Sequence, residues 1–214
     1  MSKFVILLGG TVHANDRLRD LVAGARVLAA DGGIAHAEAL GLEPELWLGD
    51  FDSTSPELDR RYAHVPRSVF PAAKDMTDGE LALNQAYRLG ATEVILCGAF
   101  GGSRTDHTLL HLTMATAHAA EGRKIILSSG DEEAHPLVAG SYRFDFPEDT
   151  LFSIVAFSPL HGLFIEGARW PLQNMELSFG SSLTVSNSVR GTLRVSLDSG
   201  KAILIAALQP ASGL

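Results

Sequence analysis

The segment "ELWLGDFDST" (residues 45–54) is a short apolar run that ends in two acids, Asp50 and Asp52. A short run of consecutive apolar residues is typical of a parallel strand that is covered by helices on both faces. Similar runs recur through residues 1–130, separated by segments with helical periodicity. They are "KFVILL" (3–8), "RVLAAD" (26–31), "RSVFPA" (67–72), "EVILCG" (93–98) and "KIILSS" (124–129). This alternation predicts an α/β domain with a doubly wound, mostly parallel sheet over residues 1–130.

The helical segments between these runs carry recognisable start signals. The segments are "NDRLRDLVAGA", "GGIAHAEALG", "SPELDRRYA", "TDGELALNQAYRLG" and "TDHTLLHLTMATAHAAEG". Ser55 followed by Pro56 fits an N-cap with proline in the first helical turn. Thr77 with Glu80 fits a capping box. Capping therefore explains Thr77 without any contact to a ligand.

After residue 130 the pattern changes to short β-rich segments separated by Gly, Pro and Ser turns. They are "SYRFDF", "LFSIVAF", "GLFIEGA", "SLTVSN", "GTLRVSL" and "KAILIAAL". No segment with helical periodicity remains, so residues 131–214 are predicted to form an all-β sandwich or barrel domain. Trp170 in this half, like Trp47 in the first half, is predicted to be a packing residue.

The composition excludes several classes of protein. The chain has 214 residues and a net charge of −8, with Lys and Arg scattered along it, whereas nucleic-acid binding needs clustered basic residues. The apolar run near its start is too short for a signal sequence or a membrane span. Cys97 is the single cysteine and ends an apolar run, which predicts a buried thiol in a reducing compartment. We expect a soluble cytoplasmic protein that binds neither nucleic acid nor membrane.

Charged residues follow the predicted strands where each strand ends. They are Asp31, Asp50, Asp52, Lys74, Asp75, Asp78, Arg104 and Asp106. Because the carboxyl ends of parallel strands open on one edge of the sheet, where ligands bind, these side chains are expected to meet there. Two carboxylates about 5 Å apart repel by roughly 3 kcal/mol at an effective dielectric near 20. A hard divalent cation relieves this repulsion, and a donor set made only of oxygen favours Mg²⁺.

Two glycine turns and one arginine at the same edge predict a phosphate ligand. The residues assigned to phosphate are Asp31, Gly32, Gly33, Gly101, Gly102 and Arg104. Such turns direct backbone amides toward phosphate at a helix N-terminus, and a guanidinium beside a metal ion binds phosphate. The sequence therefore predicts a site for Mg²⁺ and a nucleotide or another polyphosphate. Helix capping remains an alternative for each aspartate taken singly, above all for Asp78 and Asp106 at helix starts.

Five motifs together resemble those of the thiamine pyrophosphokinase family in order and spacing. They are "DGG" (31–33), "GDFDS" (49–53), "KDMTD" (74–78), "GGSRTDH" (101–107) and "SSLTVSNS" (181–188). The resemblance implies an N-terminal α/β domain and a C-terminal β domain. It also implies transfer of a pyrophosphoryl group from ATP to the hydroxyl of thiamine with Mg²⁺, which releases AMP. The implied assembly is a homodimer whose sites combine the α/β domain of one subunit with the β domain of the other.

The resemblance also assigns roles to individual residues. The implied metal and pyrophosphate cluster, with the catalytic role, is Asp50, Asp52, Asp78 and Asp106. The residues implied to bind thiamine are Lys74, Thr77, Ser186 and Asn187. The chain departs from the family directly after Asn187, where many members have an acidic or aromatic residue and this chain has Ser188, Val189 and Arg190.

Two other interpretations are open from the sequence. The segment "DFDST" satisfies the D-x-D-x-T signature of phosphohydrolases of the haloacid dehalogenase type, in which Asp50 would attack phosphorus. That signature normally ends the first strand, whereas here it follows the third predicted strand. The second alternative is a nucleotide-sensing module that binds ATP and Mg²⁺ without chemistry and therefore forms no AMP.

Overall fold

The computed structural model of the chain describes residues 2–51, 54–70 and 75–208. The chain is mixed α/β, as the sequence predicts. It divides into two compact units: Met1–Thr108 with Leu127–Gly130, called the first unit, and Leu109–Ile126 with Asp131–Leu214, called the second unit. This division rests on compactness alone, so the functional domain boundary after residue 130 stays a prediction.

The first unit contains a parallel sheet. Its strands are β1 (Lys3–Leu7), β2 (Arg26–Ala30), β3 (Leu46–Gly49), β4 (Arg67–Val69) and β5 (Glu93–Cys97). β1 pairs with β2 and β5, β2 also pairs with β3, and β3 pairs with β4, all in parallel. The central strands β1 and β5 are almost completely buried, which is why their sequences are continuous apolar runs.

Helices connect these strands. They are α1 (Asp16–Val22), a 3₁₀ helix (Asp31–His36) that leads into α2 (Ala37–Leu40), α3 (Pro56–Arg61), α4 (Asp78–Arg88) and α5 (Thr105–Ala120). Ser55 Oγ and Thr77 Oγ1 each accept a hydrogen bond of 3.3 Å from a backbone amide of the helix they precede, so both predicted N-caps are confirmed. The single helix predicted for "GGIAHAEALG" is instead the 3₁₀ helix followed by one α-helical turn. In the ranges that the structure covers, no helix is both long and apolar enough to cross a membrane.

Strand β6 (Lys124–Ser128) follows α5, and the remaining strands belong to the second unit. They are β7 (Glu132–Leu137), β8 (Gly140–Phe144), β9 (Leu151–Ala156), β10 (Leu160–Ala168), β11 (Leu172–Leu177), β12 (Asn187–Leu197) and β13 (Ala202–Ala207). Their pairings are antiparallel and give the order β11-β10-β12-β9-β13-β7, with β8 also on β12. One face of these strands forms a core that includes Phe152, Ile154, Leu163 and Leu204.

Two strands of the second unit were not predicted, and one predicted strand is absent. β7 contains Pro136 and the polar pair Glu133 and His135, which suggest a turn in sequence, yet it pairs fully with β13. β11 is polar and pairs with β10 through a shifted register. The segment "SLTVSN" forms turns up to Ser186, and strand structure begins only at Asn187.

Candidate active site

The turns that follow β2 and β3 lie against each other in the first unit. A Cβ built on Gly49, the last residue of β3, would lie 2.7 Å from Asp31 Oδ1. The backbone of Asp31 has a φ of +48°, and its carbonyl oxygen accepts a hydrogen bond of 2.8 Å from Trp47 Nε1. Trp47 is completely buried, so its predicted packing role is confirmed. These contacts hold the Asp31 carboxylate beside the backbone that leads into Asp50.

The turns after β1 and β5 also meet at this edge of the sheet. The Gly10 amide donates to the Gly98 carbonyl oxygen at 2.9 Å, and the Thr11 amide donates to the Phe100 carbonyl oxygen at 2.7 Å. A Cβ on Gly10 would lie 2.2 Å from the Phe100 oxygen, and one on Gly101 would lie 2.3 Å from Thr11 Oγ1. The two turns therefore touch through their backbones, which only glycine permits at these positions.

The glycines predicted to bind phosphate fall into two groups. Gly33 is buried against the end of β1, where a Cβ would lie 2.2 Å from the Leu7 carbonyl oxygen, so close packing explains it. Gly32, Gly101 and Gly102 are exposed. Gly101 and Gly102 have φ values of +67° and +79°, a turn that glycine adopts without strain. The exposed glycines are the ones whose amides a phosphate can reach.

The aspartates of the predicted metal cluster differ in exposure. Asp50 and Asp78 are half-buried, while Asp106 is exposed. Asp52 and Lys74 lie outside the residues that the structure describes. Within the described part of the chain, no group of three or more Asp, Glu, His or Cys side chains is arranged to hold a metal ion. The four-aspartate cluster therefore stays a prediction.

Helix α4 presents Asp78 in its first turn. Thr77 caps this helix through its hydroxyl, and Asp78 follows directly, where the helix dipole favours a carboxylate. The Thr77 hydroxyl is thus engaged with the backbone amide of Glu80 at 3.3 Å. Its structural role is established, and its predicted contact with substrate stays a prediction.

Arg104 and Asp106 bind each other at the start of α5. Arg104 Nε donates to Asp106 Oδ1 at 2.9 Å, and its Nη2 donates to Oδ2 at 2.6 Å. The hydrogen bonds from Arg104 hold the pKa of the Asp106 carboxyl well below its usual range. Both side chains are largely exposed, at 63% for Arg104 and 64% for Asp106. In this conformation the arginine occupies the carboxylate oxygens that the predicted metal site requires.

In the second unit, Asn187 and Trp170 form a close pair. The Trp170 amide donates to Asn187 Oδ1 at 3.1 Å, and Asn187 Nδ2 donates to the Trp170 carbonyl oxygen at 2.8 Å. Asn187 is 4% exposed, whereas Trp170 is 53% exposed with the Arg169 guanidinium 4.8 Å from its ring centroid. The predicted packing role of Trp170 is therefore wrong. Its position just before Pro171, at the end of a strand, was the available sign that the indole lies outside the core.

The residues that flank Asn187 differ in exposure and in their contacts. Ser186 is exposed with a φ of +60°, and its amide donates to Ser153 Oγ at 3.0 Å. Ser188 and Val189 are buried. Arg190 pairs with Asp149 at 2.5 Å, on the turn before β9. Of the three residues after Asn187, Arg190 alone has an exposed side chain, at 43%, and this ion pair holds it.

Cys97 is the last residue of β5, near the same edge of the sheet. It is completely buried at the end of β5, and burial raises the pKa of its thiol to about 12. The predicted buried thiol is confirmed. At neutral pH the sulfur is protonated and shielded, so it takes no part in the chemistry.

Comparison with known proteins identifies both halves of the chain. The family model described as thiamin pyrophosphokinase, catalytic domain, matches residues 19–127. The model described as thiamin pyrophosphokinase, vitamin B1 binding domain, matches residues 141–202. Thiamine pyrophosphokinase from Bacillus subtilis strain 168 is 30% identical over 172 residues, which is 77% of this chain and 80% of that relative.

Solved structures have the same fold. Thiamine pyrophosphokinase from Bacillus subtilis superposes with a TM-score of 0.86 at 25% identity, covering 98% of this chain and 100% of that one. The enzyme from Geobacillus thermodenitrificans gives a TM-score of 0.82 at 25% identity, with both chains fully covered. Since the catalytic-domain model spans half of the sequence and a relative at 30% identity covers most of it, this chain belongs to the thiamin pyrophosphokinase family and is an ATP-dependent pyrophosphotransferase.

Proposed function

We propose that this protein transfers a pyrophosphoryl group from ATP to the hydroxyl of thiamine, giving thiamine diphosphate and AMP. The observation that carries the proposal is that two family models match, one on each half of the chain. The catalytic-domain match contains the acids and the glycine turns at the sheet edge, and the vitamin B1-binding match contains Trp170, Ser186 and Asn187. Accordingly, residues 1–130 are the proposed nucleotide and metal domain, and residues 131–214 the proposed thiamine domain.

The donor groups at the sheet edge fit Mg²⁺ in their chemistry. Asp50 and Asp78 offer half-buried carboxylate oxygens, the ligands that hard divalent cations prefer. The residues proposed to hold the ion are Asp50, Asp52, Asp78 and Asp106. When bound, Mg²⁺ would neutralise charge on the phosphates of ATP.

Arg104 has two partners in this proposal. Without nucleotide, its guanidinium holds both oxygens of Asp106. A phosphate of ATP offers the same pair of acceptors, and guanidinium geometry suits phosphate as well as carboxylate. Because an exposed ion pair is weak, exchanging Asp106 for phosphate costs little. The exchange would bring Arg104 onto ATP and free the Asp106 oxygens at the same moment.

The chemical step is an in-line displacement. The thiamine hydroxyl oxygen attacks the β-phosphorus of ATP and forms the new O–P bond. The bond from that phosphorus to the α–β bridging oxygen breaks, and AMP leaves with the oxygen. Asp50 or Asp78 accepts the hydroxyl proton as the general base. Arg104 and the exposed amides of the Gly101–Gly102 turn hold the phosphates during the transfer.

The thiamine side of the site is proposed to lie in the β half. Trp170 offers an exposed indole, and an indole face attracts a flat cationic ring such as the thiazolium of thiamine. Ser186 is exposed and able to donate from its hydroxyl. Lys74 and Thr77 are proposed as contacts from the other half. That the enzyme works as a cytoplasmic homodimer with shared sites also remains a proposal.

Product identification tests the function directly. With ATP, Mg²⁺ and thiamine, we expect AMP and thiamine diphosphate to form in equal amounts. EDTA should abolish both products, and excess Mg²⁺ should restore them. Formation of ADP in place of AMP would contradict the proposed reaction, and ATP binding without any AMP would favour the nucleotide-sensing module.

Substitution of Asp50 separates the proposal from the phosphohydrolase alternative. Asp50 follows β3 in the structure, not the first strand where the phosphohydrolase nucleophile normally lies. We expect Asp50→Asn to lower the rate by about 10²-fold or more. In the protein that retains Asp50, we expect no covalent phosphoenzyme to form. Asp20→Asn removes an exposed carboxylate on α1, outside these motifs, and serves as the control, with a rate close to that of the protein without substitutions. An aspartyl-phosphate trapped at Asp50 would show that the phosphohydrolase mechanism operates.

A further inference from the structure

The side-chain amide of Asn187 is hydrogen-bonded to backbone groups. Its Oδ1 accepts from the Trp170 amide at 3.1 Å and from the Ser188 amide at 2.9 Å, and its Nδ2 donates to the Trp170 carbonyl oxygen at 2.8 Å. An amide oxygen has two acceptor positions, so both are filled. The residue is also 4% exposed. A substrate that bound the amide oxygen would have to displace an existing bond in a buried place.

The position of this amide in the sheet shows what it does. β10 pairs with β12, and the last backbone bond along this edge runs from the Arg169 amide to the Ser188 carbonyl oxygen at 2.8 Å. The next residue, Trp170, lies beyond the end of β10 and opposite Asn187, the first residue of β12, and Pro171 has no amide hydrogen with which to continue the ladder. The carboxamide of Asn187 fills this place with one acceptor and one donor, as a neighbouring peptide group would.

The result is an exposed aromatic side chain on a fixed backbone. Trp170 is 53% exposed, so burial of its ring does little to hold it. The two hydrogen bonds with Asn187, one accepted and one donated by its side chain, hold both polar groups of the Trp170 backbone, and the Arg169 guanidinium lies 4.8 Å from the ring centroid. The Cα–Cβ direction of Trp170 is therefore set by Asn187.

We propose that Asn187 is a positioning residue that acts through Trp170, and that it serves thiamine binding by holding the Trp170 indole in place without contacting thiamine itself. This inference rests on the proposed function, because thiamine is the ligand that the indole would receive. It replaces the direct contact that the family resemblance implies for Asn187. Thiamine affinity should then depend on Asn187 only as long as residue 170 is a tryptophan.

A double-mutant cycle tests this dependence. The variants are Asn187→Ala, Trp170→Ala and the two combined, with the KM for thiamine, the KM for ATP and kcat measured for each. We expect each single change to raise the KM for thiamine by about tenfold with a smaller effect on the KM for ATP. Because both act through the same ring, the double variant should be no worse than Trp170→Ala alone. Additive effects, or an unchanged KM for thiamine in Asn187→Ala, would overturn the inference.

Two further variants separate positioning from general loss of stability. Asn187→Asp keeps an acceptor for the Trp170 and Ser188 amides and loses the donor, so it should fold and show an intermediate KM for thiamine. Tyr142→Phe removes a matching pair of bonds, since the Tyr142 hydroxyl accepts from the Val138 amide at 2.9 Å and donates to its carbonyl oxygen at 3.0 Å. We expect Tyr142→Phe to lower stability but leave the KM for thiamine unchanged. A raised KM in Tyr142→Phe would overturn the inference, because a structural defect alone would then suffice.

Fluorescence gives a readout that needs no turnover. The chain has two tryptophans, and Trp47 is completely buried. The signal lost in Trp170→Phe therefore reports Trp170, and Asn187→Ala should lower the anisotropy of this signal while leaving that of Trp47 unchanged. An unchanged anisotropy would overturn the positioning role. If the protein without substitutions forms no thiamine diphosphate, the proposed function is wrong. This outcome is distinct from an unchanged anisotropy, which contradicts only the positioning role of Asn187.

Discussion

At the scale of single residues, the contact between Gly49 and Asp31 sets the geometry of the sheet edge. Asp31 Oδ1 occupies the space in which a side chain at position 49 would begin, 2.7 Å from the place of a Cβ. The glycine therefore does not serve only as the end of β3. Its missing side chain is what lets the Asp31 carboxylate approach the residue before Asp50.

We predict that Gly49→Ala lowers kcat/KM for ATP by about tenfold or more, because the new methyl group displaces the Asp31 carboxylate from the sheet edge. The free energy of unfolding should fall by about 1 kcal/mol or more, since Gly49 has a φ of +157°, where alanine is strained, and the end of the Asp31 side chain must also move. Steady-state kinetics and denaturant unfolding measure the two effects. Gly9→Ala is the control, because Gly9 lies on the same edge with open space around it. Unchanged kinetics in Gly49→Ala would show that the Asp31 position does not matter.

The hydrogen-bonding role of a side chain could be predicted where its partner is close in sequence. It could not be predicted where the partner is a backbone group far away in sequence. The caps at Ser55 and Thr77 follow from local patterns and are confirmed. The bond of Asn187 to Trp170 links residues 17 positions apart and depends on how β10 ends beside β12. No local pattern contains that information. Arg104 and Asp106 lie between these two cases. The sequence places both in the site, but it does not predict that they pair with each other.

At the scale of elements, predictions succeeded where an element is buried on both faces. The runs of β1 and β5 are apolar because helices cover the sheet, so their sequence identifies them. β7 does not look like a strand in sequence because it contains Glu132, Glu133, His135 and Pro136, yet Glu133 and His135 satisfy each other at 3.1 Å and the strand pairs with β13. The turn segment "SLTVSN" has β-branched residues, yet Thr184 Oγ1 bonds the Ile154 carbonyl oxygen at 2.6 Å and holds a turn. Tertiary hydrogen bonds thus override local propensity in both places.

The 3₁₀ helix that follows β2 contains a histidine with a pH-dependent role. His36 Nε2 donates to the Gly10 carbonyl oxygen at 2.9 Å, which joins this helix to the turn after β1. Burial lowers the pKa of His36 from its ordinary value of 6.5, although the bond to Gly10 opposes the shift. The folded protein therefore binds a proton at this side chain less readily than the unfolded chain does.

We predict that His36 makes the protein less stable as pH falls below about 6.5, because the unfolded chain then takes up a proton that the folded state resists. The contribution is fully present above that pH. His36→Gln keeps an N–H donor but does not titrate, so the difference in unfolding free energy between the two proteins isolates the effect. Denaturant unfolding from about pH 8 to about pH 5 measures it. A difference that stays constant across this range, or that changes in favour of the wild type at low pH, would contradict the assignment.

At the scale of the whole molecule, the two units offer different chemistry. The first unit supplies the carboxylates, the glycine turns and Arg104, which suit phosphate and metal. The second unit carries large apolar side chains that are exposed, among them Trp170 at 53%, Phe179 at 69%, Leu183 at 58% and Val185 at 45%. Exposed apolar residues of this size favour contact with a ligand or another chain. The proposed homodimer, in which one subunit's acids serve thiamine bound by the other, uses both sets of residues.

Subunit mixing tests that arrangement. Asp78→Asn is expected to disable the site through the proposed metal cluster, and Asn187→Ala to lower its activity about tenfold at low thiamine concentration through Trp170. We predict that the two variants, refolded together in equal amounts, regain roughly a quarter of the wild-type activity at low thiamine concentration. About half of the dimers are then mixed, and in each of them one site carries both changes while the other carries neither. If both residues served the same site from one chain, every site would keep a change and mixing would restore nothing. Size-exclusion chromatography and mass spectrometry must show that mixed dimers have formed. If such a mixture is no more active than the mean of the two variants kept apart, the shared site is refuted while the proposed reaction stays intact.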